Sequence, residues 1–205
     1  MIGSHNSFSY LNAKNRLINL FPSLWRCQTL TIKDQYDFGV RLFDIRVNKD
    51  IQEEKFTWQV SHGLAKFNQN FATLNAICSY FKKQYPEAVI RIILESDCDN
   101  KEIVDKFTEQ GKKAIKSYKD IIWTITLKNP WTNLQIGRNF KECKDYACHL
   151  FNWDPSKSFW YNIKHLDLSA GSIKKWAKKH NPKITKEMME DENIIYFMDY
   201  AGIYH

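Results

Sequence analysis

Polar residues capable of acid–base chemistry stand at the ends of several strand-like stretches of the sequence. They are Ser4-His5-Asn6, Asp44-Ile45-Arg46, Ser61-His62-Gly63, Leu94-Glu95 and Asp199. Two imidazoles can divide acid and base work near neutral pH, because histidine titrates there without special tuning. A carboxylate can fix the tautomer of one imidazole, and an arginine offers a planar fork for a phosphate or carboxylate. The set suits phosphoryl transfer or the cleavage of a phosphodiester without a metal.

The elements that must position these residues alternate between strands and helices. We predict strands over 40–47, 56–61, 88–94, 121–127 and 194–200, and a less regular one over 147–153. We predict helices over 71–81, over 103–118 with Asp99 or Asn100 as its cap, and over 169–180 with Ser169 as its cap. This alternation favours a parallel α/β sheet, open or closed into a barrel. In a parallel barrel the C-terminal ends of the strands share one face, so the polar segments are expected to meet there.

Composition limits the class of protein. The chain has 205 residues, of which 43% are hydrophobic and 15% aromatic, and a formal net charge of +7. This apolar content can fill a core, which excludes a disordered or fibrous chain. No apolar run approaches the roughly 18 residues that cross a bilayer, and the N-terminus lacks a signal-peptide pattern. We expect a soluble chain, of undetermined compartment, whose basic charge favours anionic partners.

Other common mechanisms have no support in the sequence. No G-x-S-x-G nucleophile motif and no Walker A loop occurs. The five cysteines are widely spaced and form no C-x-x-C pair, so neither a disulfide framework nor a zinc cluster is indicated.

Ordered motifs within the first 95 residues resemble a known family. They are Ile2-Gly3-Ser4-His5-Asn6-Ser7, Trp25-Arg26-Cys27-Gln28, the G-x-R-x-x-D-x-R strand ending at Arg46, Ser61-His62-Gly63, and Pro86-Glu87-Ala88-Val89-Ile90 leading to Glu95. At these residues the sequence resembles the catalytic X region of phosphatidylinositol-specific phospholipase C, and it is most similar to the metal-independent bacterial type. The short stretch Met198-Asp199-Tyr200 also resembles the family, more weakly.

The resemblance implies a fold and a reaction. The fold is a TIM-like (β/α) barrel in which residues 1–205 form one catalytic domain, and the short chain predicts an irregular or incomplete barrel. The reaction cleaves phosphatidylinositol-type lipids to diacylglycerol and a cyclic inositol phosphate. His5 is implied as the general base on the inositol 2-hydroxyl, and His62 as the general acid on the leaving glycerol oxygen. Arg46 would neutralise the phosphate oxygens.

The resemblance implies supporting roles for four more residues. Asp199 is the carboxylate behind His5, and Asp44 completes the catalytic set. Asn6 and Glu95 are expected to bind substrate. Asn6 stands where bacterial members carry an aspartate that supports the general acid, so protonated His62 would be less well stabilised here.

We expect no metal requirement. Calcium-dependent members of the family use oxygen ligands at the positions of Asn6, Asp44 and Glu95, and these three are the ligands if calcium is used. Arg46, however, stands where those members place a further carboxylate. A fixed guanidinium there would repel calcium and substitute for its charge.

Two alternative functions remain open. One is a related phosphodiesterase that acts on another phospholipid or a glycerophosphodiester with a divalent metal. The other is an inactive barrel that binds phosphoinositide headgroups. In the leading case the expected partner is phospholipid at a membrane surface. We expect the protein to bind there peripherally, as a monomer without a transmembrane segment. No nucleic-acid motif occurs, so no nucleic-acid partner is expected. Lysines around Trp176 form a basic patch that is either a solvated helix face or a membrane contact. They are Lys174, Lys175, Lys178 and Lys179.

Overall fold

The computed structural model of the protein describes residues 1–50, 56–147, 172–181 and 190–202. The strands of this part are β1 (Ile2–Ser4), β2 (Val40–Lys49), β3 (Trp58–His62), β4 (Ala65–Phe71), β5 (Val89–Leu94), β6 (Ile122–Leu127), β7 (Thr132–Ile136), β8 (Glu142–Asp145) and β9 (Ile194–Met198). The α-helices are α1 (Ile32–Asp37), α2 (Leu74–Gln84), α3 (Lys101–Tyr118) and α4 (Ile173–His180). Two short 3₁₀ turns, Ile18–Leu20 and Pro22–Leu24, precede α1.

The described strands form one curled sheet that resembles half of a barrel. Its order is β7-β6-β5-β2-β1-β9-β8, and the six strands from β6 to β8 in this order are parallel. Strand β7 runs antiparallel to β6, and β7 and β8 stand at the two ends of this order. The predicted α/β fold with an incomplete TIM-like barrel is therefore confirmed. None of the described helices is long and apolar enough to cross a bilayer.

Strand β2 joins the two parts of the sheet. Its first residues pair with β1 and residues 42–47 pair with β5, whereas its last residues, from Val47 to Lys49, pair with the antiparallel strand β3. Strand β3 then continues into β4 through a hairpin at Gly63, whose positive φ of 56° suits glycine. The hairpin thus folds back beside the carboxyl end of β2.

Alternation along β2 separates an apolar face from a polar one. Phe43, Ile45 and Val47 are fully buried in the main core, where the Phe43 ring lies 5.3 Å from that of Phe81 on α2. Burial of each such side chain contributes roughly 1.5–3 kcal/mol, which fixes the strand against the helix. Asp44 and Arg46 alternate with these residues and therefore face the inside of the curl.

Helix caps follow the local sequence. Thr73 caps α2 by accepting a hydrogen bond from the amide of Ala76, and Asn100 caps α3 by accepting one from Ile103. The prediction of Asp99 or Asn100 as the cap of α3 is therefore confirmed for Asn100. Helix α4 is capped by Ser172, and the predicted cap, Ser169, lies outside the described residues.

Several predicted boundaries differ from the structure. The strand predicted at 56–61 begins at Trp58, and the last strand ends at Met198, before Asp199. Strand β8 at 142–145 precedes the strand predicted at 147–153, of which Ala147 is not in a strand and 148–153 lie outside the described residues. Strands β4 and β7 and helix α1 were not predicted from the sequence.

Candidate active site

His5 follows the short central strand β1, which lies between β2 and β9. Gly3 permits the close approach of β9, because a Cβ atom at this position would lie 2.8 Å from the Phe197 side chain. The backbone amide of His5 donates to the carbonyl of Met198 at 2.9 Å. The imidazole is 3% exposed and packs edge-on against Phe197. Pairing on both sides of β1 therefore holds this histidine rigidly.

The hydrogen bonds of His5 determine its tautomer. Its Nδ1 lies 2.7 Å from Oδ1 of Asp199. Its Nε2 lies 2.6 Å from Nη2 of Arg46 and 3.1 Å from Nδ2 of Asn6. A guanidinium can only donate, so Nε2 accepts and the hydrogen of a neutral ring resides on Nδ1, which donates to the carboxylate. The lone pair on Nε2 is therefore directed toward Arg46, where this nitrogen is able to accept a proton.

Gln28 joins the ends of β1 and β9 beneath this pair. Its Nε2 donates to the carbonyls of His5 and Met198 at 3.0 and 3.1 Å, and its Oε1 accepts from the amide of Ala201. The side chain is 1% exposed. Asp199 follows Met198 directly, so Gln28 fixes the turn that presents Asp199 to His5. In the sequence Gln28 stands within the Trp25-Arg26-Cys27-Gln28 motif, and no periodic pattern there indicates this role.

Arg46 connects three of the predicted site residues. Its Nε donates to Oδ2 of Asp44 at 3.0 Å and its Nη1 to Oε2 of Glu95 at 3.2 Å, while Nη2 reaches His5. Burial opposes ionisation of Asp44, but the positive charges of Arg46 and Arg91 outweigh it and lower the pKa of this carboxyl. The two carboxylates in turn raise the pKa of Arg46 against the effect of its burial. The guanidinium is thus charged and fixed in orientation.

Asn6 adopts a left-handed backbone with φ of 47°, which asparagine tolerates better than most residues. This turn directs its backbone amide to Oδ2 of Asp44 at 3.1 Å. Its side-chain amide lies 3.9 Å from Sγ of Cys27 and contacts His5 rather than His62 in the bonds observed. Asn6 is 3% exposed, and its contacts support His5, the candidate general base.

His62 reaches the site from an antiparallel strand. We expected a parallel strand end, and this expectation was wrong because β3 folds back on β2. The register pairs Val60 with Val47, which brings the end of β3 level with Arg46. The His62 ring is half-buried, and its centroid lies 5.9 Å from that of His5 at an angle of 72°.

The backbone carbonyl of Trp25 orients His62. Nδ1 of His62 lies 2.6 Å from this oxygen, which can only accept, so Nδ1 carries a hydrogen and the lone pair of a neutral ring is on Nε2. Cys27 is buried beside the ring, with Sγ 3.8 Å from Nδ1. Burial, against the opposing charge of Glu95 and with the help of nearby Arg46, lowers the pKa of His62 to about 3. Without an anionic ligand, His62 is therefore neutral at pH 7.

Glu95 connects Lys128, which was not among the predicted site residues, to the site. Its Oε1 accepts from the amide of Gly63 at 2.9 Å and from the ammonium of Lys128. Burial opposes ionisation of Glu95, but Arg46 and Lys128 hold its pKa at about 2. Lys128 directly follows β6, whose last residue pairs with Leu94. The strand-end rule applied to the predicted strand at 121–127 would have identified it.

Two sets of groups in the described residues bear on metal binding. Arg46 lies between Asp44 and Glu95, so the oxygens proposed for calcium already share a cation. Donor atoms of His5, Cys27 and Asp199 lie within 4.8 Å of one another. That second set mixes nitrogen, sulfur and oxygen, which suits zinc better than calcium. In this structure two members of that set, His5 and Asp199, are hydrogen-bonded to each other.

Comparison with known proteins identifies the fold. No family model matches the sequence, and no curated protein matches it. A phosphatidylinositol-specific phospholipase C from Listeria monocytogenes is similar in structure over 100% of this chain and 89% of its own, with a TM-score of 0.55 and 17% identity. One from Staphylococcus aureus is similar over 98% and 86%, with a TM-score of 0.53 and 18% identity. The protein thus has the fold of bacterial phosphatidylinositol-specific phospholipase C, as its motifs indicated.

Proposed function

We propose that this protein is a phosphodiesterase that cleaves phosphatidylinositol-type lipids by general acid–base catalysis with two histidines. One observation carries the proposal: Nε2 of His5 accepts from Arg46, and its tautomer is set by Asp199, while His62 lies across from it. The similarity to phospholipase C structures supports an enzyme of this kind.

His5 is the proposed general base. Its Nε2 would take the proton of the inositol 2-hydroxyl as this oxygen attacks the neighbouring phosphorus. The imidazolium formed is stabilised by the carboxylate of Asp199, which is fully buried. The products are then diacylglycerol and a cyclic inositol phosphate, and no external nucleophile takes part in the step.

Arg46 is the proposed group that stabilises negative charge on the phosphate. Its guanidinium is held by Asp44 and Glu95, so it is oriented before substrate binds. Preorganised donors of this kind typically contribute about 3 kcal/mol to lowering a barrier. Oδ1 of Asp44 is buried and has no hydrogen-bond partner among the described residues, so a hydroxyl of a polyol headgroup could donate to it.

His62 is the proposed general acid. Its Nε2 would donate a proton to the glycerol oxygen as the bond from phosphorus to that oxygen breaks. The low pKa of His62 in the free site requires that the anionic phosphate favour its protonated form on binding. The neutral amide of Asn6 cannot stabilise the protonated form of His62 by its charge. The negative charges available to stabilise it are those of bound phosphate and Glu95.

We propose that the reaction needs no metal ion. The guanidinium of Arg46 places one fixed positive charge between the carboxylates of Asp44 and Glu95. A divalent ion at the same oxygens would meet this charge at close range, which disfavours its binding.

The test measures hydrolysis of phosphatidylinositol in mixed micelles with EDTA present. Wild type is compared with His5→Ala and His62→Ala, and ³¹P NMR identifies the phosphorus product. We expect a cyclic phosphodiester from wild type and losses of at least about 10³-fold in each variant. His180→Ala serves as a control histidine.

Three outcomes would contradict the proposal. Equal activity of wild type and both variants would remove the acid and base assignments. Activity that appears only with an added divalent ion would favour a metal-dependent phosphodiesterase. Tight binding of inositol phosphates without turnover would identify a binding protein.

A further inference from the structure

Three buried side chains of different chemistry meet behind the candidate general base. Ligand atoms of His5, Cys27 and Asp199 lie within 4.8 Å of one another. Cys27 and Asp199 are fully buried, and His5 is nearly so. Cys27 takes no part in the proposed reaction, so its place beside the other two has no explanation there. An imidazole nitrogen, a sulfur and a carboxylate oxygen are the three kinds of atom that bind zinc in proteins.

The backbone fixes Cys27 beside Asp199 before any ion binds. The carbonyl of Cys27 accepts from the amide of Tyr200 at 2.6 Å, and Tyr200 directly follows Asp199. On its other side, the amide of Cys27 donates to Oγ of Ser9 at 3.0 Å. The thiol and the carboxylate are therefore held in place by main-chain hydrogen bonds, and little conformational freedom is lost when an ion joins them.

The spacing of the ligand atoms is close to that of a tetrahedral zinc site. Zinc bonds are about 2.0–2.2 Å to nitrogen or oxygen and about 2.3 Å to sulfur, so neighbouring ligand atoms lie roughly 3.3–3.6 Å apart. Nδ1 of His5 and Oδ1 of Asp199 lie 2.7 Å apart because a hydrogen bond joins them. An ion in place of that hydrogen would separate them by roughly half an ångström. Sγ of Cys27 would move inward from its separation of up to 4.8 Å, so small side-chain rotations suffice.

The charges of the set also match those of zinc. A thiolate and a carboxylate together offset the two positive charges of the ion inside a buried site. The oxygens of Asp44 and Glu95 differ, because the guanidinium of Arg46 already lies between them. Arg46 meets His5 at Nε2, whereas Asp199 meets it at Nδ1, so the imidazole separates the guanidinium from the zinc position. This set therefore accepts a zinc-like ion where the other set disfavours calcium.

We propose that His5, Cys27 and Asp199 form an inhibitory zinc site. The binding of zinc is independent of the proposed function, and only the inhibition of turnover rests on it. Burial and the nearby charge of Asp199 raise the pKa of the Cys27 thiol, so the thiol is neutral without the ion. Zinc displaces the thiol proton, which passes to solvent. Three protein ligands leave the fourth position of a tetrahedral ion for water.

Coordination at Nδ1 would disable His5 as a base. A neutral imidazole that binds a metal through one nitrogen carries its hydrogen on the other. Zinc on Nδ1 therefore moves the hydrogen of the ring to Nε2, the nitrogen that accepts from Arg46 in the metal-free site. Nε2 then has no lone pair for the proton of the inositol 2-hydroxyl. The hydrogen bond from Arg46 is lost as well, which weakens zinc binding and makes the site reversible.

The first experiment measures metal binding without catalysis. Cobalt(II) is added to the metal-free protein as a probe for zinc, because a thiolate ligand gives it a charge-transfer absorption in the near ultraviolet. We expect wild type to show this band and added zinc to abolish it. Cys27→Ser should lose the band, whereas Cys143→Ser, which changes an exposed thiol, should keep it. Bands of equal intensity in wild type and Cys27→Ser would overturn the site.

A second variant and a second method cover the case in which Cys27→Ser does not fold. The amide of Asp199→Asn is a poorer ligand than the carboxylate, so calorimetry should show zinc affinity reduced by at least about tenfold. X-ray absorption by zinc-loaded wild type should show one sulfur at about 2.3 Å. Unchanged affinity in Asp199→Asn, or a zinc ion without a sulfur neighbour, would overturn the proposed ligand set.

The last experiment measures inhibition. A short-chain phosphatidylinositol below its micelle concentration is the substrate, and turnover with zinc is divided by turnover of the same protein in EDTA. We expect zinc to reduce this ratio at least about tenfold in wild type and in Cys143→Ser, because the base is lost. The ratio for Cys27→Ser should stay much closer to its value without zinc. Calcium in place of zinc should leave the ratio of wild type unchanged.

The outcomes separate this inference from the proposed function. Zinc that binds without slowing turnover would overturn the inhibition. Equal inhibition of wild type and Cys27→Ser, or equal inhibition by calcium, would place the inhibitory ion at other residues and overturn the site. Absence of turnover in every sample, including those with EDTA, would overturn the proposed function instead, and the cobalt spectra would still decide the metal site.

Discussion

Nδ1 of His5 lies 2.7 Å from Oδ1 of Asp199, although 194 positions separate the two residues. Parallel pairing of β1 with β9 places the ends of these strands side by side, and Gln28 fixes the backbone of both. The pair controls which nitrogen of His5 faces Arg46. Its geometry therefore links the topology of the sheet to the chemistry of the site.

Replacing Asp199 by asparagine should disable His5, the proposed general base, while preserving the shape of the site. The amide can donate to Nδ1 and so favours the tautomer with hydrogen on Nε2, where the lone pair is needed. We expect kcat on phosphatidylinositol to fall by about 10²–10⁴-fold with little change in KM. Nitrogen-15 NMR of the His5 ring should show the changed tautomer. As a control, Asp120→Asn at an exposed pair with Lys82 should leave kcat unchanged. A loss in kcat below threefold for Asp199→Asn would refute the role of Asp199 in setting the tautomer of His5.

Removing Arg46 should destabilise the fold as well as the transition state. Arg46→Met leaves Asp44 and Glu95 buried without their shared cation, which costs about 3–5 kcal/mol in the free energy of unfolding. Arg46→Lys keeps the charge but cannot make the three directed hydrogen bonds of the guanidinium, so we expect an intermediate loss in the free energy of unfolding. Urea unfolding at pH 7 measures the free energy of unfolding of both Arg46 variants. Arg41→Met breaks the partly exposed pair with Glu87 and should cost less than about 1 kcal/mol; parity with Arg46→Met would contradict the buried network.

Lys128→Gln should move acid unfolding to higher pH. The depressed pKa of Glu95 gives stability that is present above its ordinary value of 4.5 and is lost as pH falls toward about 2. Without Lys128 this pKa rises, so the stabilisation at neutral pH is smaller and is lost earlier on acidification. Unfolding free energies between pH 2 and 7 measure the effect, which we expect to be about 1 kcal/mol at pH 7 because Lys128 is partly exposed. Lys113→Gln, at an exposed helix pair, should leave the curve unchanged.

His62→Gln should make stability less dependent on pH between 7 and 5. Burial holds the pKa of His62 near 3 in the fold, below its ordinary value of 6.5, so only the unfolded chain gains a proton in this range. Stability therefore falls as pH falls, by about 1 kcal/mol after allowance for the partial exposure of the ring. Glutamine cannot titrate and can donate to the carbonyl of Trp25. Thermal unfolding at both pH values tests this, and an unchanged slope in the variant would argue against the neutral form of His62.

Much of the fold could be predicted because its elements follow local patterns. The apolar run at 88–94 and the alternation at 40–47 correspond to β5 and β2, since burial on one or both faces leaves a periodic trace. The polar strands β4 and β7 lack this trace, so neither was predicted. Their pairing depends on neighbouring strands rather than on their own composition.

Some residues of the candidate site could also be predicted from local patterns, whereas the position of others depends on strand pairing. His5, Arg46, Glu95 and Asp199 stand at or near the ends of strands that the sequence indicates, and the structure brings them together. Lys128 followed the same rule and was overlooked. His62 was expected on a parallel strand, and only the register of the antiparallel hairpin explains its position.

By itself, the sequence determined the class of fold, the order of the strands' polar ends and the residue types available for acid–base chemistry. These properties are local, because periodicity and residue type are readable within a few positions. Tertiary structure alone decided that Asp199 meets Nδ1 of His5 and that the carbonyl of Trp25 orients His62. Each of these contacts joins residues distant in the chain, and their partners are selected by strand pairing and core packing rather than by any local pattern.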